Sequence, residues 1–186
     1  MSQCIEKEVK ILDIQKSKLI KKLESLWAVK QYEEHIHDTY YDFHDAGLEQ
    51  EKKRVRIRRK WATTYVTLKK NHKTTGYKSC DEHEFTVACP EQTHQTFSSH
   101  GLMPKRSKKK HRVSYTYKSM TFDIDTYEHV PPLLEIEWPT QKKIQKRIKK
   151  LWLSNKEQAA CGARWLFKRY ELSANSSSAF ELIANS

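Results

Sequence analysis

The chain has 186 residues, of which 37% are hydrophobic, 11% aromatic and 31% charged, with a formal net charge of +12. That length suits one domain with a sizeable core, and the aromatic content argues against a disordered chain. No apolar run approaches the roughly 20 residues of a membrane span, while the positive balance implies a polyanionic partner: nucleic acid, an anionic surface or a phosphate-rich small molecule.

In chain order, CIEKEVKI (4–11) alternates as a strand does, with Val9 and Ile11 on one face and Glu6, Glu8 and Lys10 on the other. Ser17 is placed to cap a helix carrying Leu19, Ile20, Leu23, Leu26 and Trp27 at helical spacing. HIHDTYYDF (35–43) predicts an aromatic strand, AGLEQEKK a turn and connector, and KRVRIRRKW and TTYVTLKK two further strands. DEHEFTVAC is another strand, and Pro90 to Gly101 a short helix closed by its glycine. Strands follow around 110–117, 120–127 and 133–138, with Pro131 and Pro132 marking the last connection. TQKKIQKRIKKLWL predicts a basic helix with Ile144, Ile148, Leu151 and Trp152 on one side, and SNKE (154–157) reads as a capping box for a final short helix. Residues 1–172 are expected to form one domain, and the serine-rich segment 173–186 a disordered tail.

Cys4, Cys80, Cys89 and Cys161 form no CxxC pair and have no histidine at zinc spacing, which reads as reduced thiols in a cytoplasmic protein. No signal-peptide pattern opens the sequence, so a soluble intracellular protein with no membrane partner is expected. The nine histidines are dispersed, and they read as surface or satisfied polar residues. The tryptophans read as packing residues, except Trp61, which follows the arginine strand and is placed to border an opening.

The polar faces of the strands carry the functional signal. Arg54, Arg56 and Arg58 share one face; Glu82 and Glu84 another; then Lys110 with Arg112, Asp123 with Asp125, and Glu135 with Glu137. An ordinary solvent face mixes charge signs, and like charges side by side repel. Doublets of one sign make sense where acidic pairs bind a cation and basic pairs an anion. Residues two apart on a strand lie roughly 6–7 Å from one another, close enough for two carboxylates to converge on one ion. Oxygen donors favour Mg²⁺ or Mn²⁺, and arginine forks suit phosphates. An antiparallel barrel with its charged faces inward and its apolar faces beneath helices would gather these doublets around one polar lumen.

The run EKEVK resembles the ExExK signature of the CYTH domain, or triphosphate tunnel metalloenzyme, family. The resemblance continues in order through DTYYD, VRIR, TLK, EHE, KHR, DID and LEIE, and so covers about residues 4 to 138, with GARWLFKRY similar to the family's closing segment. It implies an α+β fold built on a closed eight-stranded antiparallel tunnel with surrounding helices, acting on a small-molecule triphosphate. By position, Glu6, Glu8, Glu135 and Glu137 would hold Mg²⁺ or Mn²⁺ with help from Asp123 and Asp125. Lys10, Arg54, Arg56, Arg58, Lys69, Lys110 and Arg112 would grip phosphates. Tyr40 and Lys69 would position the attacking water, and Glu82 and Glu84 would serve a second metal or salt bridges.

The expected reaction is hydrolysis of a terminal phosphoanhydride in tripolyphosphate, thiamine triphosphate or a nucleoside triphosphate. The first alternative is a class IV adenylate cyclase. The second is non-catalytic polyphosphate or RNA binding through KRSKKKHR (105–112) and KKIQKRIKK (142–150). Those two runs read instead as a solvated loop and a helix surface, so nucleic acid is not the expected partner, and a homodimer is left open.

Overall fold

The computed structural model describes residues 4–72, 78–138, 141–170 and 180–182, and in it the alternating segments become the walls of a barrel. The elements run β1 (Cys4–Ile11), α1 (Lys16–Ser25), β2 (Val29–Asp42), α2 (Gly47–Gln50), β3 (Lys53–Lys60), β4 (Thr63–His72), β5 (Lys78–Val87) and α3 (Pro90–Ser99). There follow β6 (Met103–Tyr117), β7 (Met120–Tyr127), β8 (Val130–Glu137), α4 (Gln141–Lys150), β9 (Gln158–Ala159), α5 (Ala163–Arg169) and β10 (Phe180–Leu182). Hydrogen-bonded neighbours run β6-β2-β3-β4-β5-β1-β8-β7, and β7 pairs again with β6, so the eight long strands close into an antiparallel barrel. The fold is therefore the α+β tunnel that the sequence implied.

Side-chain alternation divides the barrel into a dry outside and a charged inside. Val9, Ile11, Val113, Tyr115, Phe122, Ile124, Leu134 and Ile136 point outward and are buried beneath Leu19 and Leu23 of α1 and Ile144 and Ile148 of α4. Each such side chain contributes about 1.5–3 kcal/mol through area removed from water, which is why both helices keep an apolar stripe despite their lysines. A second cluster packs Leu166 and Phe167 of α5 on Leu12, Tyr127 and Leu133, and a third sets Leu48 and Phe97 against Tyr41, Val55, Ile57 and Val66. On the outer face of β4 and β5, Leu68 and Phe85 remain exposed.

Several element boundaries differ from the sequence reading for physical reasons. β2 and β6 are far longer than expected, pairing from Val29↔Thr116 to Asp42↔Met103 with two bulges. KRSKKKHR is consequently strand, not solvated loop, because that ladder satisfies its backbone and carboxylates inside the barrel meet its cations. Pro131 and Pro132 lie within β8, where the register shift between Asp125 and Tyr127 of β7 accommodates their missing donors. The final helix begins after Gly162 and not at SNKE, and α1 is preceded by Gln15 and not capped by Ser17. Gly101 does end α3: at φ +79° it takes the left-handed position, and the Leu102 amide reaches back to the Phe97 carbonyl at 2.9 Å. Phe180–Leu182, inside the expected tail, pair with Arg106–Lys108 of β6; the rest of the tail lies outside the described residues.

Candidate active site

The inward faces enclose a cavity of about 1010 Å³, lined by fourteen lysine or arginine residues and eight aspartate or glutamate residues. That excess of cations gives the lumen a positive field, while its carboxylates are concentrated in distinct patches.

One patch comes from β1 and β8. Glu8 stands directly across from Glu137, and Lys10 across from Glu135. Oxygens of Glu8, Glu135 and Glu137 all lie within 4.8 Å of one another, the one such grouping of three potential ligands among the described residues. The Lys10 ammonium sits among them, 3.2 Å from Glu8 and 2.5 Å from Glu135. Burial alone would lower its pKa, but Glu135 and then Glu8 hold it well above the usual lysine value. Arg112 approaches the same patch, its Nη2 3.6 Å from Glu135 Oε1. Asp123, opposite Glu135 on β7, has a buried Oδ1 without a hydrogen-bond partner, a further hard oxygen at the same place. An all-oxygen donor set of this kind suits a hard divalent cation. Glu6 lies one inward position before Glu8 in β1, opposite Cys80, but its side chain is outside the described part of the structure.

The cations are held by two fully buried aspartates. Asp125 accepts from Arg112 Nε at 2.6 Å and Nη2 at 2.7 Å, and from Lys110 at 2.7 Å. It does not line the cavity, so the structure separates it from the acidic patch it was expected to join and sets it behind the cations as their anchor. Asp38, from DTYYD, does the same for β3 and β6. Arg58 grips it through Nε at 2.6 Å and Nη2 at 2.9 Å, with Arg56 at 3.7 Å and Lys108 at 3.5 Å. Burial would raise the Asp38 carboxyl, and Arg58 and Arg56 hold it well below its usual range. Lys110 is lowered to about 8 by burial and then by Arg112, against the pull of Asp125.

At the other patch, Glu82 pairs with Lys69, and Glu84 accepts from Thr67 at 2.8 Å and lies 3.5 Å from Arg56. Of the two roles foreseen for these glutamates, salt bridging is the one they are engaged in. Arg54 also faces the lumen, donating to Asn71 at 2.8 Å.

Tyr40 faces the same space between cations. Its hydroxyl is 3.4 Å from Asp38, and Arg106 and Lys108 lie 4.8 and 5.2 Å from its ring centroid. Burial would raise the phenol and the Asp38 carboxylate opposes its ionisation, yet Lys108 and Arg56 bring its pKa down to about 7.

Sequence reasoning passed over Asp38, Lys108, Arg106 and Tyr127. The signal for Asp38 and Lys108 was their place on the inward parity of β2 and β6, two residues before Tyr40 and Lys110. Tyr127 lines the cavity from the end of β7, its hydroxyl raised well above the usual value by burial and then by Asp125.

The CYTH domain family model matches residues 4–159. No curated protein sequence matches the chain. Among solved structures it is similar to the PH1012 protein from Pyrococcus horikoshii OT3, with 24% identity over 87% of this chain and 98% of that one and a TM-score of 0.74. A Vibrio parahaemolyticus protein described as an adenylate cyclase candidate gives 13% identity over 90% and 99% of the two chains, with a TM-score of 0.75. HpAC1 from Hippeastrum, an adenylyl cyclase candidate described as having a dominant triphosphatase activity, gives 14% identity over 89% and 95%, with a TM-score of 0.64. At these identities the likeness is one of fold.

Proposed function

The chain belongs to the CYTH domain family, and on that premise we propose that it is a divalent-metal-dependent triphosphatase, cleaving the terminal phosphoanhydride of a small triphosphate. The observation that supports hydrolysis most directly is Tyr40, a phenol at about pKa 7 inside a cation-lined lumen. Such a group is matched to taking a proton from water at neutral pH.

The chemistry proceeds by positioning and charge neutralisation more than by covalent catalysis. Arg56, Arg58, Lys69, Lys108, Lys110 and Arg112 bind the phosphate oxygens, and Asp38 and Asp125 keep the guanidinium forks fixed before substrate arrives. A Mg²⁺ or Mn²⁺ ion held by Glu8, Glu135 and Glu137, with Asp123 beside them, would draw charge from the phosphates and shield them from these carboxylates. The Tyr40 phenolate accepts a proton from water as the water oxygen bonds to the terminal phosphorus. The bridging P–O bond breaks, and the departing diphosphate keeps the electron pair beside Lys10 and Arg112. The unit that carries this is residues 1–172: Gly162, Ala163 and Arg164, beyond the family match, also line the cavity.

A second reading, cyclisation of ATP, takes its support from the Vibrio neighbour's description. Incubation with tripolyphosphate, ATP and thiamine triphosphate, with Mg²⁺ or Mn²⁺, separates the two. Orthophosphate release that EDTA abolishes supports hydrolysis, cyclic AMP from ATP moves the assignment to the cyclase, and turnover of none of the three overturns both.

A further inference from the structure

Most of the chain's net charge lies outside the tunnel. α1 holds four lysines against one glutamate, and α4 five lysines and an arginine with no acid, a net +9 against +12 for the whole chain. The two helices cover the same outer face of the barrel, joined through one apolar cluster. Their lumen-distal sides carry exposed lysines, among them Lys18, Lys21, Lys142, Lys146, Lys149 and Lys150. None of these six makes an ion pair with a carboxylate among the described residues.

The same face carries apolar side chains that packing does not explain. α1 and α4 end alike, in LWA and LWL. In each the chain turns through a left-handed residue, Trp27 at φ 62° and Trp152 at φ 59°. In each the next amide reaches back to close the helix, Ala28 to the Leu23 carbonyl at 3.0 Å and Leu153 to the Ile148 carbonyl at 3.1 Å. Glycine or asparagine is the ordinary occupant of that position. Here it holds the largest side chain, 86% exposed at Trp27 and 75% at Trp152, with Val29 at 62% beside the first. Lys22 of α1 lies 3.4 Å from the Trp152 ring centroid, which brings the two helix ends together. The patch borders one mouth of the tunnel: Val29 pairs with Thr116, and Thr116 lines the cavity with Gln31.

We infer that this face docks on an anionic lipid bilayer. The lysine array supplies attraction to acidic headgroups, worth about 1 kcal/mol or fivefold in affinity per residue near the surface. Trp27, Trp152 and Val29 enter the interfacial region, where tryptophan is favoured. A single-stranded nucleic acid would meet the same charge, but bases stack on aromatics set in grooves, whereas these rings protrude and Lys22 already covers one face of Trp152. The helices keep their apolar stripes against the barrel, and no helix among the described residues is long and apolar enough to cross a membrane, so docking is peripheral. It is independent of the activity proposed above.

The test is co-sedimentation of the full chain with phosphatidylcholine vesicles with and without phosphatidylserine, read alongside tryptophan emission. The expected result is binding only to the phosphatidylserine vesicles, weakened by salt and accompanied by a blue shift. Replacing both left-handed residues, Trp27→Gly with Trp152→Gly, relieves backbone conformation and so leaves the melting temperature no lower. Its binding is expected to fall at least about tenfold, and K149E/K150E is expected to lower binding at least as far. Equal sedimentation with both vesicle types, or unchanged binding in the glycine double variant, overturns the inference. Binding of a single-stranded oligonucleotide in place of vesicles, lost in the same variant, overturns it in favour of nucleic acid.

Discussion

Arg58 grips Asp38 with two parallel bonds, Nε to Oδ1 at 2.6 Å and Nη2 to Oδ2 at 2.9 Å, across the β2–β3 pair and away from solvent. The same carboxylate faces Arg56 and Lys108, so a single buried anion holds three cations that a substrate would otherwise have to order. Asp38→Ala leaves those cations without their counter-charge, and removing one partner of a buried pair costs about 3–5 kcal/mol. A urea denaturation series is expected to show that loss. Wild-type stability in Asp38→Ala would mean that the cations do not depend on it.

On the proposed mechanism, Tyr40 is expected to set the acid limb of the rate profile. Its phenol is brought to about 7, and the profile of kcat/KM reports the free enzyme. Activity is therefore expected to rise through neutral pH. Lys108→Met removes the ammonium that depresses the phenol, so the limb moves to higher pH, while Tyr40→Phe costs about 10²–10⁴-fold. An acid limb unmoved in Lys108→Met would assign it to another group.

For the acidic patch the expected variants are Glu8→Gln and Glu137→Gln, each removing one member of the Glu8–Glu135–Glu137 grouping. Both should stay folded by circular dichroism and lose Mn²⁺ affinity by calorimetry, with turnover falling in parallel. Undiminished Mn²⁺ binding in both would move the metal site elsewhere.

The buried carboxylates also fix how stability varies with acid. Asp38 and Glu135 ionise well below the usual range when folded, held there against burial by Arg58 and Arg56 in one case and by Lys10 and Arg112 in the other. Between the folded and unfolded values the unfolded chain binds more protons, so stability rises with pH across that window. The contribution is complete above about pH 4–5, the range of unfolded carboxylates, and drains away as pH falls below it. Urea midpoints measured from neutral to acid pH are expected to follow this course, with a shallower decline in Asp38→Asn.

The strand faces were legible because a strand has a period of two. The alternation in EKEVK, VRIR and LEIE alone sorts each residue to the lumen or the core, and the acidic grouping and most cations follow from it. What alternation cannot show is which carboxylate faces the cavity and which stands behind a cation. Asp123 and Asp125 look equivalent in DID, yet only Asp123 reaches the lumen, because Arg112 and Lys110 close over Asp125. Lys108 sat in a run of basic residues with the composition of a solvated loop, and its pairing with β2 shows that the inward parity of Lys110 and Arg112 extends back to it. Capping at Ser17 and SNKE misled for a related reason: tertiary packing, not the local signal, fixed where α1 and α5 begin.

Because β7 returns to pair with β6, no strand can swing aside as a door. A triphosphate and the products of its proposed cleavage would then pass lengthwise through the mouths, past the cations that line the cavity. Charge that tightens capture also slows departure, so on the proposed function the escape of diphosphate is expected to limit turnover, and the rate to fall as medium viscosity rises.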